Sequence, residues 1–182
     1  YLGALGAALG TMVANLSAHK AGWDERWEEF SDLAVSGQAL MEELLHLVDE
    51  DTEAFNRIMD VFAMPKNTDE EKAARAQALE KATEYACEVP LATMTTSCRI
   101  FDLLAEVASK GNPASVSDAG VGALAVRAAV HGAGLNVRIN AAGLKDRALA
   151  NRFVTDAAAI EARADEAEKT IIDKVNEIIS SK

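Results

Sequence analysis

Proline is scarce in this sequence, and that scarcity constrains its fold more than any other feature. The chain of 182 residues contains only three prolines, and aromatic residues make up 5% of it. Proline interrupts helices because it lacks an amide N–H and clashes with the preceding turn. No segment shows the sustained alternation of apolar and polar residues that is typical of half-buried strands. The sequence therefore predicts long, closely packed helices.

The helical spacing of apolar residues divides the chain into segments. A length of 182 residues with 49% apolar composition fits one domain with a sizeable core. We therefore predict an all-α fold, a single-domain helical bundle of about five to seven helices that spans residues 1–182. Residues 23–37 are charged and aromatic, which predicts a short helix or an irregular connection. The main predicted helices cover residues 1–20, 42–62, 68–110, 117–143 and 146–179.

Local signals mark the boundaries of these helices. Pro65 ends the second helix, and Thr68 and Glu71 then have the spacing of a capping box, with Thr68 as the N-cap. Pro90 predicts either a kink in the third segment or the start of a new helix. Gly111 is of the residue type that most often follows the end of a helix.

The first helix has a stripe of large residues and a stripe of small residues on roughly opposite faces. Small residues let another helix approach closely, so we predict a buried helix, although the same surface also suits a subunit interface. The segment is shorter than the roughly 20 residues that span a bilayer, which argues against a membrane anchor. The large residues are Leu5, Leu9, Met12 and Leu16, and the small residues are Gly3, Gly6, Ala7, Gly10 and Ala14.

Composition argues against several classes of partner. The formal net charge of −11 disfavours nonspecific binding to nucleic acid or anionic membranes, but a local basic patch can still hold a small anionic substrate. Cys87 and Cys98 lie about 16 Å apart along a helix, which is too far for a disulfide. Free thiols predict a cytoplasmic protein. The histidines and cysteines show no metal-ligand spacing, so no metal is expected.

Asp51 is a carboxylate within an apolar helical face. Burying an unpaired carboxylate costs several kcal/mol or makes it hold a proton. We therefore expect Asp51 to pair with a buried Arg or Lys, to cap a neighbouring helix, or to act as a general acid/base. At about 100° per residue it falls at the centre of the stripe formed by Leu44, Leu47, Val48, Phe55, Ile58 and Phe62.

The helix over residues 117–143 carries a trough of small residues with polar groups at both ends. Either another helix fills this trough, or a flat ligand lies along it. In the second case Asn136 and Asn140 offer donors and acceptors to a heteroaromatic ring, and Asp118 lies in the first turn, where the helix dipole favours a carboxylate. The small-residue trough consists of Asp118, Gly122, Ala125, Ala129, Gly132, Asn136 and Asn140.

Several basic residues lie near these features, and each has more than one candidate partner. Arg127, His131 and Arg138 point away from the small-residue trough, where we expect water or a neighbouring subunit to contact them. Lys66 lies in the loop after the second helix, where it is either a solvated charge or a cation for an anionic ligand.

Three segments of the sequence match a known pattern in their order and spacing. The first is Leu-Val-Asp-Glu-Asp-Thr-Glu-Ala-Phe at 47–55, and the second is Met-Pro-Lys-Asn-Thr at 64–68 with Glu-Glu-Lys at 70–72. The third runs from Gly111-Asn112 through Ser117-Asp118 to Asn-Val-Arg-Ile-Asn at 136–140. Together they resemble the formimidoyltetrahydrofolate cyclodeaminase / methenyltetrahydrofolate cyclohydrolase family. In that family a segment rich in glycine and serine, absent here, would lie just before Tyr1.

The resemblance implies a helical homodimer that acts on a tetrahydrofolate derivative, which can carry a polyglutamate tail. The cyclodeaminase closes 5-formimidoyltetrahydrofolate to the 5,10-methenyl form and releases ammonia; this is the first hypothesis. The cyclohydrolase, which interconverts the methenyl and 10-formyl forms, is the alternative, and a non-catalytic helical binding module is a third possibility. No cofactor beyond the folate substrate is implied. The animal enzyme is fused to a glutamate formimidoyltransferase, so functional pairing with such a transferase is expected.

The resemblance also implies roles for individual residues. Asp51 takes a proton from N10 and gives one to the departing nitrogen, with Asp118 assisting, while the two asparagines contact the pterin. Lys66 binds the glutamate tail or the p-aminobenzoate carboxylate. The predicted catalytic residues are thus Asp51 and Asp118, and the predicted substrate-binding residues are Lys66, Asn112, Asn136 and Asn140.

Overall fold

The computed structural model describes residues 1–181 as a helical bundle without strands. The predicted all-α, single-domain fold is confirmed, with the number of long helices at the lower end of the expected range. None of the described helices is long and apolar enough to cross a membrane. The α-helices are α1 (Leu2–Ala18), α2 (Trp27–Ala63), α3 (Asp69–Lys110), α4 (Val116–Ala141) and α5 (Arg147–Ser180), and short 3-10 helices cover Asp24–Arg26 and Pro113–Ser115.

Helix α2 begins earlier than the predicted second helix, because aromatic packing fixes its first turns. Phe30 is fully buried, and its ring stacks on Trp23 with centroids 5.8 Å apart. Arg26 lies over both rings and donates a hydrogen bond of 3.1 Å to the carbonyl oxygen of Lys110, at the end of α3. Residues 23–37 are therefore a short 3-10 turn that leads directly into one helix of 37 residues.

Helix α3 begins at the predicted capping box and continues through Pro90. The Thr68 hydroxyl accepts from the Glu71 amide at 3.2 Å, and the Glu71 carboxylate accepts from the Thr68 amide at 3.1 Å. Pro90 has no N–H, so the carbonyl of Ala86 lacks its usual partner one turn later. The side-chain amide of Asn140 on α4 donates to that carbonyl at 2.6 Å. A neighbouring helix thus supplies the donor that Pro90 cannot.

Helix α1 fills only the first half of the small-residue trough of α4. A Cβ atom at Gly6 would overlap the side chain of Val126 and lie 3.0 Å from the carbonyl oxygen of Gly122. A Cβ atom at Gly132, farther along α4, would meet nothing within 4 Å. The interpretation as helix packing is therefore right for one end of the trough, and the other end is open.

The small face of α1 is buried as expected, but its large face is not. Leu5 and Leu16 are about half exposed, and Met12 is also exposed. Close approach to α4 requires the glycine face to turn inward, which leaves the leucine stripe on the surface.

The basic residues of α4 form ion pairs with acidic residues of α5. Arg138 donates two hydrogen bonds of 2.9 Å to the carboxylate of Glu161. Arg127 and His131 both contact Asp165, and hydrogen bonding to them lowers the pKa of that carboxyl. The prediction for these residues was wrong because α5 places acidic residues one turn apart on the face that meets α4.

We expect Gly6→Ala to destabilise the protein by about 1–3 kcal/mol, because the added methyl group overlaps Val126 and approaches the backbone of α4. Gly132→Ala is the matched control, since open space surrounds its Cβ position and alanine favours a helix by about 0.5–1 kcal/mol. Thermal unfolding measures both changes. A Gly6→Ala variant as stable as the wild type would contradict close packing of α1 on α4.

Candidate functional site

The open end of the small-residue trough forms one wall of a cleft of about 380 Å³. Four helices contribute to this cleft: the first turn of α1, the middle of α2, the region of α3 around Pro90, and α4. Most of its lining is apolar. The lining residues are Tyr1, Leu2, Gly3, Leu44, Leu47, Val48, Asp51, Pro90, Thr93, Ala128, Ala129, Gly132, Ala133 and Asn136.

Asp51 lines the cleft from α2, but it is exposed. The packed side of α2 repeats with spacings of three and four residues, and Asp51 occupies the position between Leu47 and Ala54 in that series. At this position the neighbouring helices do not pack against α2, and the space between them is the cleft. The prediction that Asp51 is buried is therefore wrong for the single chain, although its place among apolar residues is right.

The apolar stripe predicted around Asp51 is rotated about the helix axis relative to the side of α2 that packs in the structure. Phe55 and Phe62, which were expected to be buried beside it, are 61% and 54% exposed. Within residues 1–181 the Asp51 carboxylate forms no ion pair or hydrogen bond. Among the described residues, Asp51 therefore neither pairs with a buried Arg or Lys nor caps a neighbouring helix.

Asn136 lines the same cleft from α4, beside Gly132 and Ala129. Its side chain is exposed and makes no hydrogen bond to other residues in the described range. Asp51 and Asn136, which the sequence singled out on different helices, thus line the same cleft. A carboxylate and a free amide facing a flat, small-residue wall can hold a planar polar molecule.

Asn140 and Asn112 have structural partners outside the cleft. The side chain of Asn140 is half-buried and donates to the carbonyl of Ala86. The side-chain oxygen of Asn112 accepts from the amide of Ala114 at 3.1 Å, and its backbone amide donates to the Ser17 hydroxyl at 2.8 Å. Asn112 therefore holds the connection between α3 and α4.

Asp118 and Lys66 also lie outside the cleft. Asp118 is half-buried in the first turn of α4, about 15 Å along the helix axis from Ala128, the nearest lining residue in sequence. Lys66 is exposed in the loop between α2 and α3. One chain does not bring either residue to Asp51.

Pro90 and Thr93 are lining residues that the sequence analysis did not select. They lie on α3 one turn apart, and the Thr93 hydroxyl donates to the carbonyl of Val89 at 3.1 Å. A proline within a long helix, followed three residues later by a small polar residue, was the available signal. The sequence interpretation of Pro90 was limited to a kink or the start of a new helix.

The other reactive groups do not supply nucleophiles at the cleft. Burial raises the pKa of the Cys87 thiol to about 11, and burial also raises the pKa of Cys98. Among the described residues, no group of three or more His, Cys, Asp or Glu is arranged to hold a metal ion. Asp51 is therefore the one ionisable side chain that the described residues place in the cleft lining, apart from the Tyr1 hydroxyl and amino group.

Comparison with known proteins agrees with this architecture. A family model described as formiminotransferase-cyclodeaminase matches residues 1–159. The chain belongs to this family. It is 40% identical over 162 residues to the methenyltetrahydrofolate cyclohydrolase of Methylorubrum extorquens, which covers 89% of this chain and 78% of that protein.

Other proteins are similar to this chain over part of their length. The formimidoyltransferase-cyclodeaminase of Mus musculus is 36% identical over 143 residues, which is 79% of this chain but only 26% of that protein. A crystal structure of formiminotetrahydrofolate cyclodeaminase from Thermotoga maritima superposes with a TM-score of 0.83, at 23% identity, over 98% of this chain and 85% of that one. The last comparison shows a shared fold.

The thiols allow a test of the packing beside the site. With a pKa of about 11, Cys87 is about one-thousandth thiolate at pH 8, so we expect iodoacetamide to label it very slowly in the native protein. Mass spectrometry of a Cys98→Ser variant isolates Cys87, and the same variant in denaturant is the control. Equal labelling rates in the two states would contradict the burial of Cys87.

Proposed function

We propose that the protein is a folate one-carbon enzyme that acts on the carbon bridging N5 and N10 of tetrahydrofolate. The proposal depends on one observation: Asp51 and Asn136 face one cleft in a chain of this family. The carboxylate serves as general acid/base, and the amide recognises the pterin. Apolar walls and the flat surface of Ala129 and Gly132 fit a planar heteroaromatic ring.

Hydrolysis of the methenyl form is the reaction we place first, because the cyclohydrolase relative is 40% identical and is matched over 78% of its length. A water molecule adds to the methenyl carbon, and Asp51 accepts a proton from it. Asp51 then returns that proton to N5 as the bond from the carbon to N5 breaks. The hydroxyl group on the carbon loses its own proton to solvent as the C=O bond of the formyl group forms. The product carries a formyl group on N10.

Cyclisation of the formimidoyl form is the second candidate, and the sequence analysis had placed it first. It is favoured by the similarity to formimidoyltransferase-cyclodeaminases, which extends over 79% of this chain in the Mus musculus protein. N10 attacks the carbon of the formimidoyl group, whose nitrogen is protonated, and N10 loses its own proton to Asp51. Asp51 returns the proton to the nitrogen that departs as ammonia, which leaves the methenyl form.

Substrate binding supplies the burial that Asp51 lacks in the free chain. A ring lying between α2 and α4 excludes water from the carboxylate and confines its proton exchange to the substrate. Placing N10 or water next to the one-carbon unit contributes much of the remaining acceleration. Neither proposed reaction includes a cofactor beyond the folate substrate.

Roles for the remaining predicted residues are parts of the same proposal. Lys66 binds a glutamate or polyglutamate tail that extends from the cleft. Asn112 lies near the opposite end of α1 from the cleft, so it contributes only if a second subunit brings it to the substrate. Asp118 assists only if a second subunit brings it to the substrate, since one chain keeps it about 15 Å from the cleft. Cytoplasmic location and functional pairing with a glutamate formimidoyltransferase also belong to this proposal.

We expect Asp51→Asn to lower kcat by about 10²- to 10⁴-fold while the fold is retained, because the amide cannot accept or return a proton. Asp49→Asn is the matched control, an exposed carboxylate two residues away on the same helix. Turnover is measured with both the methenyl and the formimidoyl forms, and ammonia release identifies the second reaction.

Near-wild-type turnover by Asp51→Asn would remove Asp51 from the catalytic role. A wild-type protein, with any upstream segment included, that binds no tetrahydrofolate analogue in calorimetry would instead favour the non-catalytic binding module. The ratio of the two wild-type activities decides between the cyclohydrolase and the cyclodeaminase.

We further propose that the protein forms a homodimer through the apolar rim of the cleft. Leu135 and Ile139 on α4 are 64% and 71% exposed, and Phe55 on α2 adds a further exposed ring. Large exposed apolar residues in one region are typical of subunit interfaces.

We expect sedimentation at micromolar concentration to show a dimer for the wild type and a monomer for Ile139→Glu, which places a charge in the interface. Val35→Glu is the control, because Val35 is 70% exposed but lies in the first turns of α2, away from the cleft. A monomeric wild type would exclude the homodimer.

A further inference from the structure

Pro90 creates a hydrogen-bond acceptor beside the cleft. Because proline has no N–H, the carbonyl of Ala86 loses the partner that every other interior residue of a helix supplies. Ala86 is buried, so water has little access to this carbonyl. A buried carbonyl without a donor is costly, and such groups are rarely left unpaired.

Asn140 supplies the missing donor from another helix. Its Nδ2 atom lies 2.6 Å from the Ala86 oxygen, and its side chain is half-buried between α3 and α4. The next polar contact between these regions is formed by Glu80, whose carboxylate accepts from the amides of Lys145 and Asp146. That contact lies beyond the end of α4, so Asn140 holds α4 itself.

The bond lies one turn from the cleft on both helices. Pro90 and Asn136 are lining residues, and Ala86 and Asn140 are their neighbours at a distance of four residues along α3 and α4. A shift of Asn140 relative to Ala86 therefore moves Asn136 relative to Pro90. The hydrogen bond from Asn140 therefore sets the position of the Asn136 amide relative to the wall of the cleft that α3 forms.

We propose that Asn140 is a positioning residue that fixes Asn136 in the cleft through the carbonyl freed by Pro90, and that it does not contact the substrate. This inference rests on the proposed function only for its kinetic test. Its structural test, the coupling between Asn140 and Pro90, is independent of any substrate.

The structural test is a double-mutant cycle of thermal unfolding. We expect Asn140→Ala to lower Tm by roughly 2–8 °C, because a buried carbonyl loses its donor. Asn140→Asp keeps the shape but puts a carboxylate in place of the amide donor, so we expect a loss at least as large. In a Pro90→Ala background the amide of residue 90 reaches the Ala86 carbonyl, and the loss from Asn140→Ala should fall to less than half.

The kinetic test uses the same variants with Asn136→Ala as the control. We expect Asn140→Ala to lower kcat/KM by roughly tenfold to hundredfold in the wild-type background and by much less relative to Pro90→Ala alone. In an Asn136→Ala background, Asn140→Ala should lower kcat/KM by much less than in the wild type, since Asn140 acts on the substrate only by positioning Asn136.

Equal losses of Tm from Asn140→Ala in the wild-type and Pro90→Ala backgrounds would overturn the positioning role. Equal losses of kcat/KM in these two backgrounds, with an intact coupling in Tm, would overturn the statement that Asn140 does not contact the substrate. A protein that turns over neither folate form, yet shows the coupling in Tm, would refute the proposed function and leave the contact between Asn140 and Pro90 standing.

Discussion

The position of the cleft depends on the close contact between α1 and α4. Gly6 and Gly122 let the two backbones approach, and α1 then fills the first half of the small-residue trough. At Gly132 no side chain enters the trough, and the first turn of α1 becomes part of the rim. The same small residues therefore serve two purposes on one helix: they allow packing at one end and leave a flat surface at the other.

Features that depend on neighbouring residues in sequence could be predicted, because their causes are local. The capping box at Thr68 needs only two side chains and one turn of helix, and it is present in the structure. Helix α5 was predicted over residues 146–179 from apolar periodicity, and it spans Arg147–Ser180 in the structure. The direction of the small-residue trough was also correct, but which half another helix would fill depends on how α1 crosses α4.

Features that depend on other helices could not be predicted from a helical wheel. Asp51 is in register with packed residues, yet it is exposed because the facing helices leave a cleft at that position. Asn136 and Asn140 are equivalent on the wheel of α4. Only one of them meets the carbonyl that Pro90 frees, and this distinction arises on α3, which pattern analysis of α4 does not include.

An exposed carboxylate at Asp51 suits a substrate that carries a positive charge. Covering a carboxylate with a ring removes its water and costs several kcal/mol unless an opposite charge is brought in with the ring. The methenyl form of tetrahydrofolate is a cation, with its charge shared between N5, the bridging carbon and N10. Its attraction to the carboxylate offsets the desolvation at the carbon that reacts. A neutral ring of the same shape lacks this compensation, so the proposed function implies that the cleft binds the charged one-carbon form in preference to an unsubstituted pterin.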